Sequence, residues 1–373
     1  MKVLDRKSKT EFIRDEICRY ILKHSLDEGA LLPSENTLCE QFKVSRVTVR
    51  RAIASLAKDN VVFSLHGKGL FVKSLENARK TYGADLLTGN IGLFLNRNEF
   101  TLPAIFGIED VVKPAGFHLT YCSLGGNHEQ NVSNMLSVMR NGMDGCAIIP
   151  IEATPYPEVY LDAFQKMKNI VILDADSPED AIPSVRTDDI AGIRQVMRYL
   201  ISLGHRRIAF MGGELLTSSN TDRYNAYRLA LAECPDAEKE IILSIREYIP
   251  NHAEQVLTEY LKRTKKEDLP TAVVCTNDKL AGKVIGVLQS AGFRIPEDIS
   301  VTGYANMKQA YVTVPAITTV EQQPYEQGRM VGELLLKLIY RQEIPNRHIR
   351  VKPNLQINQS CTVPRNWKIN RRK

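Results

Sequence analysis

The chain of 373 residues lacks several features that define large classes of proteins. No apolar run approaches the ~18 residues of a membrane-spanning helix, so we expect no membrane segment. The seven cysteines are odd in number and form no CxxC pair, so we expect buried, reduced thiols rather than a disulfide framework or a zinc site. The seven histidines show neither HxH nor HExxH spacing, and nucleophile-elbow and P-loop motifs are missing. We therefore predict no catalytic residues, no metal and no cofactor.

Positive charge is concentrated at the two ends of the chain. Residues 1–75 hold 14 Lys and Arg against 9 Asp and Glu, and residues 365–373 hold five basic residues and no acidic one. The middle is mildly acidic, with 30 basic residues against 34 acidic ones. A basic head on a weakly acidic body predicts that the head contacts nucleic acid and that the body does not. The first residues lack the apolar core of a signal peptide, so we expect a cytoplasmic protein.

Residues 33–73 form a succession of short elements that is typical of a winged helix-turn-helix. Ser34 precedes a short apolar-periodic run and is predicted to N-cap a helix of about residues 35–42. After a tight turn, Ser45 is predicted to N-cap a second helix. The core face of this second helix has the spacing i, i+3, i+4, i+7: Val49, Ala52, Ile53 and Leu56. An upstream supporting helix is predicted from a second apolar face: Phe12, Ile13, Ile17, Tyr20 and Ile21.

The outward face of the second helix suits the major groove of double-stranded DNA. Arginine can bind guanine through two hydrogen bonds, and hydroxyls and lysine can bind phosphates. Two β-prone runs, 61–63 and 70–72, surround a glycine-rich turn and predict a hairpin whose tip can also reach DNA. For any single arginine, a merely solvated helix face is the alternative. The predicted contacts are Ser45, Arg46, Thr48, Arg50, Arg51, His66 and Lys68.

This stretch resembles the GntR family of bacterial regulators over about residues 8–73. The matching motifs are Leu32-Pro33-Ser34-Glu35, Val44-Ser45-Arg46-Val47-Thr48-Val49-Arg50 and Gly67-Lys68-Gly69-Leu70-Phe71-Val72. The resemblance implies an α+β winged helix-turn-helix and adds Ser34, Glu35, Asn36 and Gly67 to the predicted DNA contacts. Family members commonly have an arginine, often a DNA contact, where this chain has Asn36. Asn36 can still donate to a phosphate or an adenine edge.

Residues 90–364 are predicted to form an α/β domain with two lobes. Strands alternate with helices from Ile91 to Asp174 and again from Asp188 to Tyr304, which implies two parallel sheets with helices on both faces. Ligands of such sheets bind beyond the carboxyl ends of the strands, so the cleft between the lobes is the expected pocket. We assign residues 1–75 to the DNA-binding domain, residues 76–89 to a polar linker and residues 365–373 to a basic tail.

This region resembles the LacI/GalR effector-binding domain, which has the fold of periplasmic sugar-binding proteins, over about residues 88–362. The matching stretches include residues 144–150, 185–192, 276–281 and 295–304. The resemblance implies ligand contacts from Asp174, Arg223, Asn277 and Gln322. Alternative roles are helix caps for Asp174 and Asn277, a surface position for Arg223 and a hinge role for Gln322. Asp188 and Asp189 are expected to be cap and scaffold rather than ligand contacts.

One departure from this resemblance bears on the ligand. Family members usually carry an acidic residue, often a sugar ligand, where this chain has Ala305. Its loss leaves Arg223 less balanced by negative charge. An acidic, phosphorylated or oligomeric sugar is therefore a fair hypothesis beside a simple monosaccharide.

The two halves together are similar to regulators of the arabinose-repressor type. We expect a sequence-specific transcriptional repressor that binds a pseudo-palindromic operator as a homodimer. A small sugar-like effector between the lobes is expected to control it. Two alternatives stay open: a ligand-dependent activator of the same architecture, and a sugar-binding protein without a DNA role.

Overall fold

The structure is a computed structural model. It describes residues 8–24, 26–65, 67–82, 89–95, 99–125, 127–140, 142–150, 157–213, 217–246 and 251–365. Three of our predictions lie partly or wholly outside the described residues: His66, the second half of the linker, and residues 366–373 of the tail. No helix in the described ranges has the length and apolar character needed to cross a membrane.

The N-terminal part is a winged helix-turn-helix, as predicted. Its elements are α1 (Lys9–Lys23), α2 (Glu35–Phe42), α3 (Arg46–Lys58), β1 (Val62–Leu65) and β2 (Gly69–Val72). The two strands pair antiparallel as the wing. Val49, Ala52 and Leu56 of α3 are fully buried, which confirms the predicted core face. Among the residues that the structure describes, the buried members of this core all lie between Ile13 and Ala78.

The upstream helix α1 buries a slightly different face from the predicted one. Ile13, Ile17 and Ile21 are buried, as expected. Phe12 and Tyr20 were wrongly assigned to the core, because they are 48% and 40% exposed. Cys18 and Leu22 are buried in addition, so the apolar stripe is rotated toward them.

The predicted linker, residues 76–89, is in part regular structure. Residues Leu75–Tyr82 form helix α4, which packs against α1. A linker without structure was therefore the wrong prediction for residues 76–82. Ala78 is fully buried in the N-terminal core, and the Ser74 hydroxyl accepts a hydrogen bond from the Asn77 backbone N–H (3.1 Å). One buried alanine among polar residues is too weak a signal to show helical periodicity.

The first lobe, called lobe 1, is a parallel six-stranded sheet covered by helices on both faces. Its elements are β3 (Gly89–Leu95), α5 (Thr101–Val112), β4 (Phe117–Ser123), α6 (His128–Arg140), β5 (Gly145–Ile148), α7 (Glu158–Lys166), β6 (Ile170–Leu173), β7 (Ser184–Thr187), α13 (Pro324–Ile339) and β13 (His348–Val351). The strand order is β13-β7-β6-β5-β3-β4. One core cluster lies under α5 and α13, and another lies under α6 and α7.

The second lobe, called lobe 2, repeats the arrangement with four parallel strands. Its elements are α8 (Asp189–Ser202), β8 (Ile208–Gly212), α9 (Ser218–Ala232), β9 (Ile241–Ser244), α10 (His252–Arg263), β10 (Ala272–Cys275), α11 (Asp278–Ser290), β11 (Ser300–Thr302) and α12 (Lys308–Val312). The strand order is β11-β10-β8-β9. The predicted two-lobed α/β fold is confirmed.

The chain passes between the lobes three times. The first crossing joins β7 to α8, and the second runs from β12 (Thr319–Glu321) to α13. The third leads from β13 to β14 (Asn354–Gln356), which pairs antiparallel with β12. The elements of lobe 1 that follow the second crossing, α13 and β13, were not predicted. The edge strand β13 has the sequence HIRV, and only its last residue is buried, so the strand has little apolar signal.

Candidate DNA interface and ligand cleft

The starts of α2 and α3 meet through charged side chains. The Arg50 Nε donates to Glu35 Oε2 (2.9 Å), and the Arg46 Nε lies 3.9 Å from the same oxygen. Arg46 also donates from Nη2 to the Asn36 Oδ1. The side chain of Arg46 is 57% exposed and that of Arg50 is 65% exposed. Exposed ion pairs contribute about 0–1 kcal/mol, so either arginine can exchange its partner for a base or a phosphate at low cost.

The two predicted N-caps are present. Ser34 Oγ accepts from the Thr37 backbone N–H (3.1 Å), and Ser45 Oγ accepts from the Thr48 backbone N–H (3.3 Å). The Ser45 and Thr48 hydroxyls also hydrogen bond to each other (2.9 Å). These contacts fix the start of each helix. The roles of Ser34, Ser45 and Thr48 in DNA contact stay predictions.

The remaining predicted DNA contacts that the structure describes are Gly67 and Lys68 at the hairpin tip and Arg51 on α3. Gly67 has φ +72°, a left-handed conformation that favours glycine, and Lys68 follows it in the turn. Both residues are exposed, and so is Arg51 on α3. Basic side chains thus occur on the outward side of α3 and at the tip of the wing.

The centre of the interlobe region is a buried ion pair between Arg223 and Asp189. The Arg223 Nε donates to Asp189 Oδ1 (2.7 Å), and Nη1 donates to the Thr276 carbonyl (2.8 Å). The guanidinium lies 3.9 Å from the centre of the Tyr304 ring. Burial on its own lowers the pKa of Arg223, but Asp189, Tyr304 and Asp174 together outweigh it, so the pKa stays above its ordinary value and the side chain is charged.

Tyr304 reaches this pair because Gly192 leaves room for it. A Cβ at residue 192 would lie 2.4 Å from the tyrosine hydroxyl, well inside contact distance. Gly192 is on α8, three residues after Asp189, so the glycine and the carboxylate face the same neighbours. The matching stretch 185–192 therefore also shapes the centre of the cleft.

A second arginine joins the two lobes through the same carboxylate. Arg186 of lobe 1 is 1% exposed and donates from Nη2 to Asp189 Oδ2 (3.0 Å). It also donates to Asp222 of lobe 2 (2.5 Å) and, from Nη1, to Asp176 (2.7 Å). Arg350 of β13 bonds Asp176 (2.6 Å) and lies 3.8 Å from Asp222. Three arginines therefore face three aspartates, and Asp222 links lobe 2 to two arginines of lobe 1.

The other predicted effector residues lie around this network. Asn277 follows Thr276 and N-caps α11, with its Oδ1 accepting from the Leu280 N–H (2.8 Å). Gln322 is 5% exposed and donates from Nε2 to the Thr187 hydroxyl (3.3 Å), two residues before Asp189. Asp174 is half-buried after β6 and contributes to the raised pKa of Arg223. Asn277 is thus a helix cap, and Gln322 contacts the strand that leads into the first crossing; the hinge role of Gln322 and the ligand roles of both residues stay predictions.

A separate cavity of about 400 Å³ lies at the second crossing. Phe100 and Pro103 of lobe 1 line it together with Ala305 of lobe 2. The backbone N–H of Lys308 closes one side by donating to Glu99 Oε2 (2.6 Å). The four predicted effector residues do not line this cavity.

Two family models match the chain. Bacterial regulatory proteins of the gntR family match residues 9–72, and the periplasmic binding protein-like domain matches residues 197–361. An arabinose metabolism transcriptional repressor of Geobacillus stearothermophilus is 27% identical over 358 residues, which cover 93% of this chain and 96% of that protein. The chain is a transcriptional repressor with a ligand-binding domain.

Other relatives match the ligand-binding part of the repressor. The HTH-type transcriptional repressor PurR of Vibrio atlanticus is 28% identical over 270 residues, 72% of this chain and 80% of that protein. A LacI family regulator from Enterococcus faecium, solved with bound ribose, has a TM-score of 0.63 and 26% identity over 74% of this chain and 100% of its own. The transcription regulator CcpA of Lactococcus lactis, at 20% identity and a TM-score of 0.65 (74% of this chain, 100% of its own), shows the same fold.

The contacts of Arg223 in the repressor correct one step of the sequence reasoning. Ala305 was expected to leave Arg223 less balanced by negative charge. Asp189 instead supplies a carboxylate at 2.7 Å, so the balance is restored from another position. Arg223 therefore needs no anionic ligand to balance its charge.

Sequence reasoning missed four residues of the network: Asp176, Arg186, Asp222 and Arg350. The adjacent aspartates 188 and 189 of the repressor were a signal for a buried basic partner. A helix cap needs only one of the two carboxylates, so the other is left to bind an arginine. Arg350 had no such signal, since the strand that carries it, β13, was not predicted. Arg186 was part of a recognised motif, but a strand arginine in isolation does not indicate burial.

Proposed function

We propose that a small, neutral, polyhydroxylated ligand controls this repressor from the cleft between its two lobes. The observation that carries the proposal is the buried Asp189–Arg223 pair, which lies where β7, β10 and the second crossing converge. Such fixed donors and acceptors beside an aromatic ring are what a sugar needs, since its hydroxyls donate and accept and its ring carbons are apolar.

The charge balance of the described cleft residues favours a neutral ligand. Arg186, Arg223 and Arg350 are matched by Asp176, Asp189 and Asp222 through direct contacts of 2.5–3.8 Å. A ligand carrying a phosphate or carboxylate would have to displace one of these aspartates. The relative named for arabinose metabolism and the neighbour solved with ribose are in keeping with a neutral sugar.

Ligand binding would act on DNA through the relative position of the lobes. Asp222 of lobe 2 contacts two arginines of lobe 1, so the lobes already share one ionic network. A ligand that prefers one lobe arrangement shifts that equilibrium by its differential affinity. Allosteric coupling of about 1–3 kcal/mol would change operator affinity about 5–150-fold. We further propose a two-fold dimer that presents two DNA-binding domains to a pseudo-palindromic operator.

A ligand panel on the purified full-length protein tests the ligand class. Thermal shifts are measured with neutral pentoses and hexoses and with their phosphates. We expect a neutral sugar to raise the melting temperature and to change operator affinity in a mobility-shift assay. A shift given only by the sugar phosphates would overturn the assignment to neutral ligands.

Two variants separate the ligand function from the DNA function. Arg223→Lys keeps the charge but loses the directed bonds to Asp189 and Thr276, so operator binding should persist while the ligand response disappears. Arg50→Ala should abolish specific operator binding and leave the ligand-induced thermal shift intact. Arg263→Ala, on an arginine 75% exposed in α10, is the matched control and should change neither. Retained operator affinity in Arg50→Ala would refute its role.

A further inference from the structure

The DNA-binding helix α3 exposes an apolar side chain at its most outward position. Val47, the second residue of the helix, is 60% exposed. At about 100° per residue, it lies about 170° from the mean direction of the four buried positions of α3. The buried positions are Val49, Ala52, Ile53 and Leu56. The valine therefore occupies the centre of the surface that faces away from the protein core.

The neighbours of Val47 are basic on both sides. By the same helical geometry, Arg51 lies about 40° to one side of the valine and Arg50 about 60° to the other. Arg50 is 65% exposed and oriented by Glu35. The adjacent hydroxyl of Thr48 is engaged with the N-cap at Ser45 (2.9 Å). Val47 is thus an apolar spot between two cations that are suited to phosphates or guanine.

An exposed valine at this place has a physical disadvantage for the free protein. Its branched side chain loses rotamer freedom in a helix, and its methyl groups are left in water. Among the four standard DNA bases, thymine presents an apolar group, its C5-methyl, at the edge that faces the major groove. A valine held between two arginines would meet that methyl when the arginines bind the groove.

We propose that Val47 is a specificity-determining residue of this repressor that contacts the C5-methyl of a thymine in each operator half-site. The inference rests on the DNA-binding role of α3 and adds one base preference to it. Removing one methyl-sized contact weakens binding by about fourfold for each half-site. Removing the valine should abolish this preference for thymine, while the operator affinity that the arginines contribute stays.

The test compares two deletions of apolar groups: the two γ-methyl groups of Val47 in the protein and the C5-methyl of a thymine in the DNA. The full-length protein first selects its operator from a random duplex pool. Each thymine of that operator is then replaced by uracil, which removes only the C5-methyl, and affinities are measured for the wild type and for Val47→Ala. We expect one thymine per half-site whose replacement weakens wild-type binding about fourfold and leaves Val47→Ala unaffected.

Two further variants keep the outcome clear. Val47→Thr retains one methyl group at the same branch point and should retain part of the uracil effect. Val312→Ala removes a valine of similar exposure (57%) from lobe 2 and should behave as the wild type. Uracil effects that are the same with and without Val47, at every thymine, would overturn the proposal. A failure to select any sequence would instead overturn the DNA-binding role of the chain, and the inference with it.

Discussion

Neutralising Asp189 should destabilise the ligand-binding domain more than any neighbouring acidic substitution. Its two carboxylate oxygens each accept from a buried guanidinium: Oδ1 from Arg223 (2.7 Å) and Oδ2 from Arg186 (3.0 Å). The three side chains are 1%, 9% and 1% exposed. Asp189→Asn therefore leaves two buried cations with one carboxylate fewer. Breaking a buried pair costs about 3–5 kcal/mol, which lowers the Tm of a domain of this size by roughly 6–10 °C.

The adjacent residue provides a matched control. Asp188 caps α8 by accepting from the Ala191 N–H (2.9 Å), and asparagine caps helices about as well as aspartate. Asp188→Asn should therefore change the Tm by about 1 °C or less. Differential scanning calorimetry of the two full-length variants measures the difference directly. If Asp189→Asn melts within a degree of Asp188→Asn, the buried pair does not carry the stability argued for it.

Three further predictions concern the lobes, the reading helix and pH. Asp222→Asn should weaken ligand binding by about fivefold, or about 1 kcal/mol, by removing a contact between the lobes, and calorimetry that shows unchanged affinity would refute this. Ser45→Ala should cost about 1 kcal/mol of DNA-binding-domain stability through the lost N-cap, and an unchanged denaturation midpoint would contradict it. Burial raises the pKa of Asp278 from 3.8 to about 6, so its proton is held more tightly in the folded state. The resulting stability is complete below about pH 4 and is lost as the pH rises through 6, and Asp278→Asn should flatten the melting profile over that range.

The parts of the fold that local chemistry determines could be predicted from the sequence. Ser34 and Ser45 were located as caps because a hydroxyl before an apolar-periodic run satisfies the free N–H groups of a helix start. The alternation of strands and helices similarly gave the two lobes. Helix α4 was missed because the described part of its packing consists of Ala78 and the half-buried Leu75, which is too little to show a helical period in the sequence.

The centre of the cleft was predicted only in part, because the residues that contact each other there are far apart in the sequence. Arg223 and Asn277 were located because the resemblance to the LacI/GalR effector-binding domain implied them position by position. Their partners are set by the fold: Asp189 comes from another helix, and Arg350 reaches Asp222 only after the chain has crossed back to lobe 1. Charge balance at a buried site is a property of the assembled structure, and the loss of an acidic residue at 305 could not reveal it.

The three crossings have a consequence for the order in which the repressor matures on the ribosome. The core of the DNA-binding domain ends at Ala78, so this domain can fold as soon as it emerges. Lobe 1 cannot, because its edge strand, residues 348–351, is made only after the strands and helices of lobe 2. At about 5–20 residues per second, roughly 15–50 s separate the two events. Each new molecule therefore passes through an interval in which its DNA-binding domain is complete but its ligand-binding domain is not.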